Sequence, residues 1–277
     1  MTGIRLTARY ALVLLIILAC VGPLLWVFVS SIKPADEIFA DDISWWVPNP
    51  TLEHYAWVLN PASFRLLDLL SNTLIVCATT ALLTAVFAAA CGYALSRYPG
   101  LVTTLVVGLL LLAQLVQGPM IMLPWYQVAS GLDLLDTKQV LVAIYLTMTV
   151  PVGVLIMRGF FDVIPTELEE AASMDGAGRF RTLTRIILPL VTPGLVAIAT
   201  YSFILAWNDY QYALILTSSY EAKTVQVGIA ELLGSLGATN WGGILAASVI
   251  VVLPVVVVFA FAQRALIEGL TAGGVKG

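Results

Sequence analysis

The chain has 277 residues, of which 60% are hydrophobic and only 11% are charged, and its formal net charge is −4. A typical soluble domain carries about 25% charged residues, so this composition excludes an ordinary water-soluble protein. We expect the chain to be surrounded by membrane lipid and to have no nucleic-acid partner.

Six stretches of the sequence lack Asp, Glu, Lys and Arg and are long enough, or nearly so, to cross a bilayer. A transmembrane helix needs about 20 apolar residues, and only helices or closed barrels satisfy their backbone polar groups in lipid. The stretches are continuously apolar rather than alternating, which favours helices over a β-barrel. The sequence therefore predicts an all-α integral membrane protein with transmembrane helices at residues 10–32, 69–96, 102–123, 139–160, 187–212 and 244–263.

Lysine and arginine are unequally distributed among the connections between these predicted helices. If the N-terminus lies inside, nine of them fall on the inner side and four on the outer side. Positive charge accumulates in short cytoplasmic loops. Both termini are therefore predicted to be cytoplasmic.

The residues that catalysis requires are scarce in this sequence. Its single histidine, His54, falls in the predicted first outer connection without a cysteine or carboxylate cluster, so we expect a solvated loop residue. Phosphate-loop, serine-hydrolase and zinc-protease motifs are absent. The charge-free stretches lack the ionisable residues that proton-coupled carriers use as relays, with Asp209 at the outer end of the fifth predicted helix as the nearest exception, while sodium coupling through backbone carbonyls and hydroxyls stays open. We predict no enzyme activity, no catalytic residue, no metal site and no cofactor in this chain. Its energy source is expected to lie outside it.

A polar segment at residues 169–177, with the sequence EEAASMDGA, separates the fourth and fifth predicted helices. Thr166 and Glu169 have the spacing of a capping box, and acidic residues in the first turn favour a helix N-terminus. Gly176 follows Asp175 at a typical helix stop. The pattern predicts a short helix in this loop.

The predicted loop helix has one small apolar face, formed by Leu168, Ala171 and Ala172. An amphipathic hairpin lying on the inner leaflet is one interpretation. Alanine gains little from lipid, however, and acidic residues are repelled by anionic headgroups. A helix that docks on a protein partner is therefore favoured, with the surface-lying hairpin as the open alternative.

The same segment carries a longer motif. The pattern Glu-Ala-Ala-x3-Gly-x9-Ile-x-Leu-Pro is matched by Glu170, Ala171, Ala172, Gly176, Ile186, Leu188 and Pro189. It resembles the EAA motif of permease subunits in binding-protein-dependent ABC importers. The stretches RLLDLLSNTLIV, FILAWNDYQYAL and GLTAGGVKG are similar to the smaller permease of carbohydrate importers of the maltose type, so the resemblance covers nearly the whole chain.

This resemblance implies a type I importer permease fold with six transmembrane helices and a cytoplasmic coupling loop at 162–189. A coupling helix at 166–178 would sit in a cleft of an ATPase subunit, and the tail at 269–277 would reach toward the ATPase interface. The residues implied in ATPase coupling are Glu169, Glu170, Ala171, Ala172, Met174, Asp175, Gly176 and Ala177. Those implied in the tail are Gly273, Gly274 and Lys276.

The resemblance also implies the partners. They are a homologous second permease subunit, two ATPase subunits that bind ATP and magnesium, and an extracytoplasmic sugar-binding protein. The chain would be the transmembrane subunit of an ATP-driven sugar importer, working by alternating access in the plasma (inner) membrane of a bacterium or archaeon. The outer connection at 33–68 is expected to form an ordered cap where the binding protein docks, with a mobile loop as the alternative.

Polar and aromatic residues within the predicted spans are candidates for the substrate pathway, because sugars are recognised by hydrogen bonds together with flat aromatic surfaces. These candidates are Asn72, Gln114, Gln117, Tyr145, Thr149, Tyr201, Asn208, Asp209 and Tyr212. Hydrogen bonding between helices is the alternative role for them. A stand-alone secondary carrier or facilitator for a small polar solute is the alternative function.

Overall fold

The computed structural model describes residues 2–40, 44–115, 118–234 and 239–274. The regular secondary structure in these ranges is helical throughout, which confirms the all-α prediction. The chain divides into two compact units. Unit 1 comprises Met1–Asp68 and Gly228–Leu253, and unit 2 comprises Leu69–Val227 and Pro254–Gly277.

The α-helices of the described ranges follow one another in chain order. They are α1 (Thr2–Ser31), α2 (Glu53–Leu59), α3 (Leu66–Arg97), α4 (Leu101–Ala113), α5 (Met122–Gly131), α6 (Lys138–Asp162), α7 (Glu167–Met174), α8 (Arg179–Thr182), α9 (Leu188–Leu190), α10 (Thr192–Asn208), α11 (Gln211–Leu216), α12 (Val225–Gly234) and α13 (Trp241–Gly274). A 3-10 turn at Gly118–Ile121 precedes α5, and a π turn at Leu183–Ile187 joins α8 to α9.

Membrane-spanning length is reached by four helices within the described ranges. The spans are Arg9–Ser31, Leu66–Arg97, Lys138–Asp162 and Trp241–Gln263. A fifth forms if Arg179–Leu190 and Thr192–Asn208, which are bent by 77° at their junction, are taken as one broken span. α4 has 13 residues, fewer than the about 20 that a straight span needs.

The structure corrects the predicted third helix, 102–123, because α4 already ends at Ala113. Gly118 has a φ of +76°, a left-handed conformation that glycine adopts without steric cost. Pro119 follows it and has no backbone N–H to donate to a helix. The chain therefore changes direction here and continues as the 3-10 turn and α5.

The predicted fifth helix, 187–212, is also interrupted. α10 ends at Asn208, and Asp209 is extended, with φ −72° and ψ 133°. The Asp209 carboxylate accepts the backbone N–H of Ala213 at 3.1 Å and thereby fixes the start of α11. The Asp209 side chain thus caps α11, and α10 does not continue beyond Asn208.

In unit 1 the connection that follows α1 is held against the end of that helix by hydrogen bonds. The hydroxyl groups of Tyr55 in α2 and Ser31 in α1 lie 2.6 Å apart. His54 Nε2 lies 2.9 Å from the carbonyl oxygen of Lys33, and a Cβ on Gly242 of α13 would overlap the imidazole ring. His54 is buried, so the expectation of a solvated loop residue was wrong: helix packing and a backbone partner enclose the ring.

In unit 2, α6 packs against α4, α10 and α11. α6 approaches two of its neighbours closely at Gly153, where a Cβ would lie 3.0 Å from the Cβ of Ala88 in α3 and 3.1 Å from Cγ2 of Ile198 in α10. Small residues permit such approach between membrane helices. Met157 and Phe161, on the following turns of α6, are fully buried in the same apolar core.

Candidate functional site

The first turn of α7 is bound to the C-terminal end of α3. Glu169 accepts a hydrogen bond from Arg97 Nε at 2.5 Å with one carboxylate oxygen and from Tyr93 Oη at 2.6 Å with the other. The side chains of Arg97 and Glu169 are only 10% and 21% exposed. Solvent and salt therefore screen this ion pair less than a surface pair.

This use of Glu169 explains why the predicted capping box is wrong. Thr166 has helical dihedral angles, φ −67° and ψ −23°, and its side chain makes no capping hydrogen bond. A capping box needs the Glu169 carboxylate to reach back to the backbone of Thr166. Both of its oxygens are instead directed at α3.

The end of α7 follows the predicted pattern and adds detail to it. Gly176 has a φ of +78°. Its N–H donates to Ser173 O at 3.0 Å, and the N–H of Ala177 donates to Ala172 O at 2.9 Å. This pair of bonds is a Schellman motif, which satisfies the last carbonyl groups of the helix and turns the chain.

The two sides of α7 differ in exposure. Ala172 is buried, whereas Met174 is 89% exposed and Glu170 is exposed. Of the predicted apolar face, Leu168 and Ala171 also remain exposed, so only Ala172 packs against the protein. A cleft of about 260 Å³ lies beside the helix, lined by Tyr93, Glu169, Glu170, Ser173, Ala177, Arg179 and Thr182. α7 therefore offers a free carboxylate and a free thioether beside a concave surface.

Three of the predicted substrate-pathway residues are brought together at the α10–α11 break. Tyr145 Oη of α6 donates to Asp209 at 2.7 Å. Tyr212 donates its backbone N–H to the same carboxylate and its hydroxyl to Gly118 O at 3.0 Å. Tyr145 and Tyr212 are buried, so their hydroxyl groups are committed to hydrogen bonds within the fold.

A groove of about 420 Å³ opens next to this cluster. It is lined by Met148, Tyr201, Ile204, Leu205, Asn208 and Asp209. Tyr201 and Asn208 are exposed in the groove, and the Asn208 amide donates to the Ile204 carbonyl within α10. The groove thus combines an aromatic ring, an amide and a carboxylate on one side of α10.

The remaining candidates lie apart from the groove. Thr149 is buried and shares a 2.7 Å hydrogen bond with Thr84 of α3. Asn72 accepts from Lys138 Nζ at 3.0 Å and donates to the carbonyl of Tyr220 at 2.7 Å. Both therefore make the interhelical contacts that were their alternative role.

Gln114 follows α4 and is half-buried. Gln117 and Lys276 lie outside the described residues, while Gly273 and Gly274 form the last turn of α13. Sequence reasoning missed Tyr93 and Arg97, which hold α7. Arg97 and its partner Glu169 are 72 positions apart, so no local pattern links them.

Comparison with known protein families identifies the class of the chain. The profile of the binding-protein-dependent transport system inner membrane component matches residues 81–271, more than half of the sequence. The chain belongs to this family. It is a multi-pass membrane component of a transport system, and its recognition from the EAA motif is confirmed.

Relatives within this family match over most of their length. The inner membrane ABC transporter permease protein YcjP of Escherichia coli (strain K12) is 38% identical over 230 residues, covering 82% of this chain and 81% of the relative. The trehalose/maltose transport system permease protein MalG of Thermococcus litoralis is 34% identical over 270 residues, covering 95% and 94%. The diacetylchitobiose uptake system permease protein DasC of Streptomyces coelicolor is 32% identical over 259 residues, covering 93% and 92%.

A solved structure has the same fold as this chain. It is a chain of a bacterial ABC transporter involved in the import of the acidic polysaccharide alginate, with a TM-score of 0.77 and 22% sequence identity. The match covers 95% of this chain and 96% of that chain. The type I importer permease fold expected from the sequence is thereby confirmed.

Proposed function

We propose that this chain forms half of the translocation pore of an ATP-driven carbohydrate importer. A homologous second permease would complete the pore, two ATPase subunits would bind ATP and magnesium, and an extracytoplasmic binding protein would deliver the sugar. Support comes from the family match and from relatives named for trehalose, maltose and diacetylchitobiose transport. The transport cycle would alternate between inward-open and outward-open states as the ATPase subunits close and separate.

The geometry of α7 is the observation that carries this proposal. Glu169 fixes the helix to α3 from one side, while Glu170 and Met174 point away from the chain. An exposed methionine beside a carboxylate and a cleft suits insertion into a protein partner, because thioether side chains adapt to irregular apolar pockets. The Schellman turn at Gly176 keeps this tip short and rigid. These features support ATPase contact by the α7 tip.

For the substrate we propose a neutral carbohydrate, contacted in part by the groove beside α10. Tyr201 offers a flat ring, and Asn208 and Asp209 offer hydrogen-bonding groups on the same side. The described residues that line this groove include no Lys or Arg. A multiply anionic sugar would therefore find no counter-charge there.

The ATPase contact is tested by charge reversal on α7. Glu170→Lys and Met174→Arg should abolish sugar uptake by the complete complex and prevent co-purification of the ATPase, while the permease still inserts into the membrane. Glu221→Lys is the matched control, since Glu221 is exposed in the α11–α12 connection. Normal uptake by Glu170→Lys, or sugar transport by the isolated chain in liposomes, would contradict the proposal.

The proposed orientation places both termini and α7 in the cytoplasm. Single cysteines at Ser173 and Glu221, in a variant lacking Cys20, Cys77 and Cys91, provide the test. A membrane-impermeant maleimide applied to intact spheroplasts should label residue 221 and spare residue 173 until the cells are permeabilised. The opposite labelling pattern would invert the topology.

A further inference from the structure

One guanidinium group joins three helices next to the α7 tip. Arg97, the last residue of α3, donates from Nε to Glu169 in α7 at 2.5 Å. Its Nη1 donates to the carbonyl oxygen of Phe161 at 3.1 Å, and its Nη2 donates to that of Ile164 at 3.1 Å. Arg97 therefore links the end of α3 to the end of α6 and to the start of α7.

The contacts to α6 have a physical reason. Phe161 lies in the last turn of α6, and Ile164 lies two residues beyond the end of that helix at Asp162. The C-terminal end of a helix is the negative end of its dipole, so a cation is favourable there. A planar guanidinium with several fixed donors can serve both carbonyls and a carboxylate, which an ammonium group does less well.

Tyr93 reinforces the same junction one turn earlier in α3. Its hydroxyl donates to the second oxygen of Glu169 at 2.6 Å. Its ring packs edge-on against Phe161 at a centroid distance of 5.5 Å, and the Arg97 guanidinium carbon lies 5.8 Å from the centre of the same ring. Both oxygens of Glu169 are thus held by residues of α3.

The two consecutive glutamates of the motif consequently differ in role. Glu169 faces the chain and is bound by Tyr93 and Arg97, whereas Glu170 is exposed. We propose that Arg97, through Glu169, is a positioning residue that makes α7, α3 and α6 move as one body when α7 is displaced. This inference rests on the proposed function of α7 as the ATPase contact.

The expected defect of an Arg97 variant follows from what remains in place. Without the guanidinium, α7 keeps its Schellman turn and its exposed tip, so the ATPase still binds. Its first turn, however, keeps only the Tyr93 hydrogen bond to α3 and loses the link through Arg97 to the end of α6. Displacement of α7 would then be absorbed at the junction, and ATP hydrolysis would continue with less transport.

The experiment measures sugar transported per ATP hydrolysed in proteoliposomes that contain the complete complex, with the soluble binding protein and a transported sugar supplied. Arg97→Ala and Glu169→Ala should retain ATPase co-purification and lower this ratio by about tenfold. Arg97→Lys, which keeps a cation at this position but lacks the planar set of donors, should retain more of the ratio than Arg97→Ala. Tyr93→Phe, which removes one hydrogen bond, should lower it by about twofold.

Asp162→Ala is the matched control, because it breaks the neighbouring Arg158–Asp162 pair, in which the Asp162 side chain is 48% exposed. Its transport ratio should equal that of the wild type. A wild-type ratio for Arg97→Ala would overturn the inference, as would loss of the ATPase from Arg97→Ala complexes. If the proposed function itself were wrong, the wild-type complex would neither bind the ATPase nor transport sugar. That result is distinct from any result that contradicts only the role of Arg97.

Discussion

The phenolic oxygen of Tyr145 lies 2.7 Å from a carboxylate oxygen of Asp209, at the residue where α10 ends. The same carboxylate accepts the backbone N–H of Ala213 in α11. Three residues further along from Asp209, Tyr212 donates its hydroxyl to Gly118, where the chain turns between α4 and α5. Hydrogen bonds therefore connect the break between α10 and α11 to the turn between α4 and α5.

Removing the Tyr145 hydroxyl tests the first of these links. Tyr145 is fully buried, and Tyr145→Phe leaves the Asp209 carboxylate with one hydrogen-bond donor fewer. We expect a loss of about 1 kcal/mol in the free energy of unfolding. Tyr201→Phe is the control, since Tyr201 is 40% exposed on α10, and should change stability by less than about 0.5 kcal/mol. Equal thermal midpoints of the two purified variants would contradict the assigned role of the Tyr145 hydroxyl.

The helix contact at Gly153 predicts a difference between two glycines of α6. A side chain at residue 153 would meet Ala88 and Ile198, whereas a Cβ at Gly159 would meet nothing within 4 Å. Gly153→Leu should destabilise the protein by about 1–3 kcal/mol through overpacking. Gly159→Leu should be neutral or stabilising, because leucine has the higher helix propensity. Thermal unfolding in detergent measures both, and similar midpoints would show that α3, α6 and α10 separate at little cost.

The long helices could be predicted from the sequence because their apolar runs are uninterrupted. The intervals 69–96 and 139–160 correspond to α3 and α6 within a few residues. The breaks in the helices at Gly118 and Asp209 were harder to predict. The predicted helix 102–123 ran through Gly118-Pro119, although a Gly-Pro pair is a local turn signal. The role of Asp209 depends on Tyr145, 64 positions away, which helical periodicity does not report.

In the candidate site, too, some features could be predicted from neighbouring residues, whereas others depend on residues far away in the chain. The helix at 167–174 and its glycine stop follow from neighbouring residues, and both are present. The partner of Glu169 does not follow from them. Capping-box spacing pointed to Thr166, whereas Arg97 and Tyr93 reach Glu169 only because α3 and α6 place their ends beside α7. A tertiary ion pair replaced a local hydrogen bond.

The left-handed turn at Gly176 predicts sensitivity to any side chain there. Nothing lies within 4 Å of a Cβ at residue 176, so the cost of Gly176→Val is conformational, about 1–2 kcal/mol for a left-handed β-branched residue. The Schellman bonds should loosen, and ATPase activity stimulated by the binding protein should fall in the complete complex. Gly178→Val is the matched control, because Gly178 has equal space and a φ of −71°. Equal ATPase activities would contradict a requirement for this turn.

The connection between α5 and α6 predicts a pH-dependent contribution to stability. Asp136 accepts the backbone N–H groups of Ser218 and Ser219 at 2.8 and 2.9 Å. Partial burial acts to raise the pKa of Asp136, but the hydrogen bonds from both serines outweigh it, so the pKa lies below its usual value. The ionised carboxylate therefore stabilises the folded state above the unfolded pKa of about 4, and this contribution is lost as the pH falls through the lower folded pKa.

Asp136→Asn isolates this charge, because asparagine tolerates the positive φ of 58° at this position and still offers an acceptor oxygen. The thermal midpoint of the variant should lie below that of the wild type at pH 7, and the two should converge as the pH is lowered below about 4. Asp133→Asn is the matched control, since Asp133 is exposed and has a φ of 53° in the same connection. Its midpoint should follow the wild type at every pH. A constant gap between Asp136→Asn and the wild type down to pH about 2 would mean that the serine amides do not depend on the ionised carboxylate.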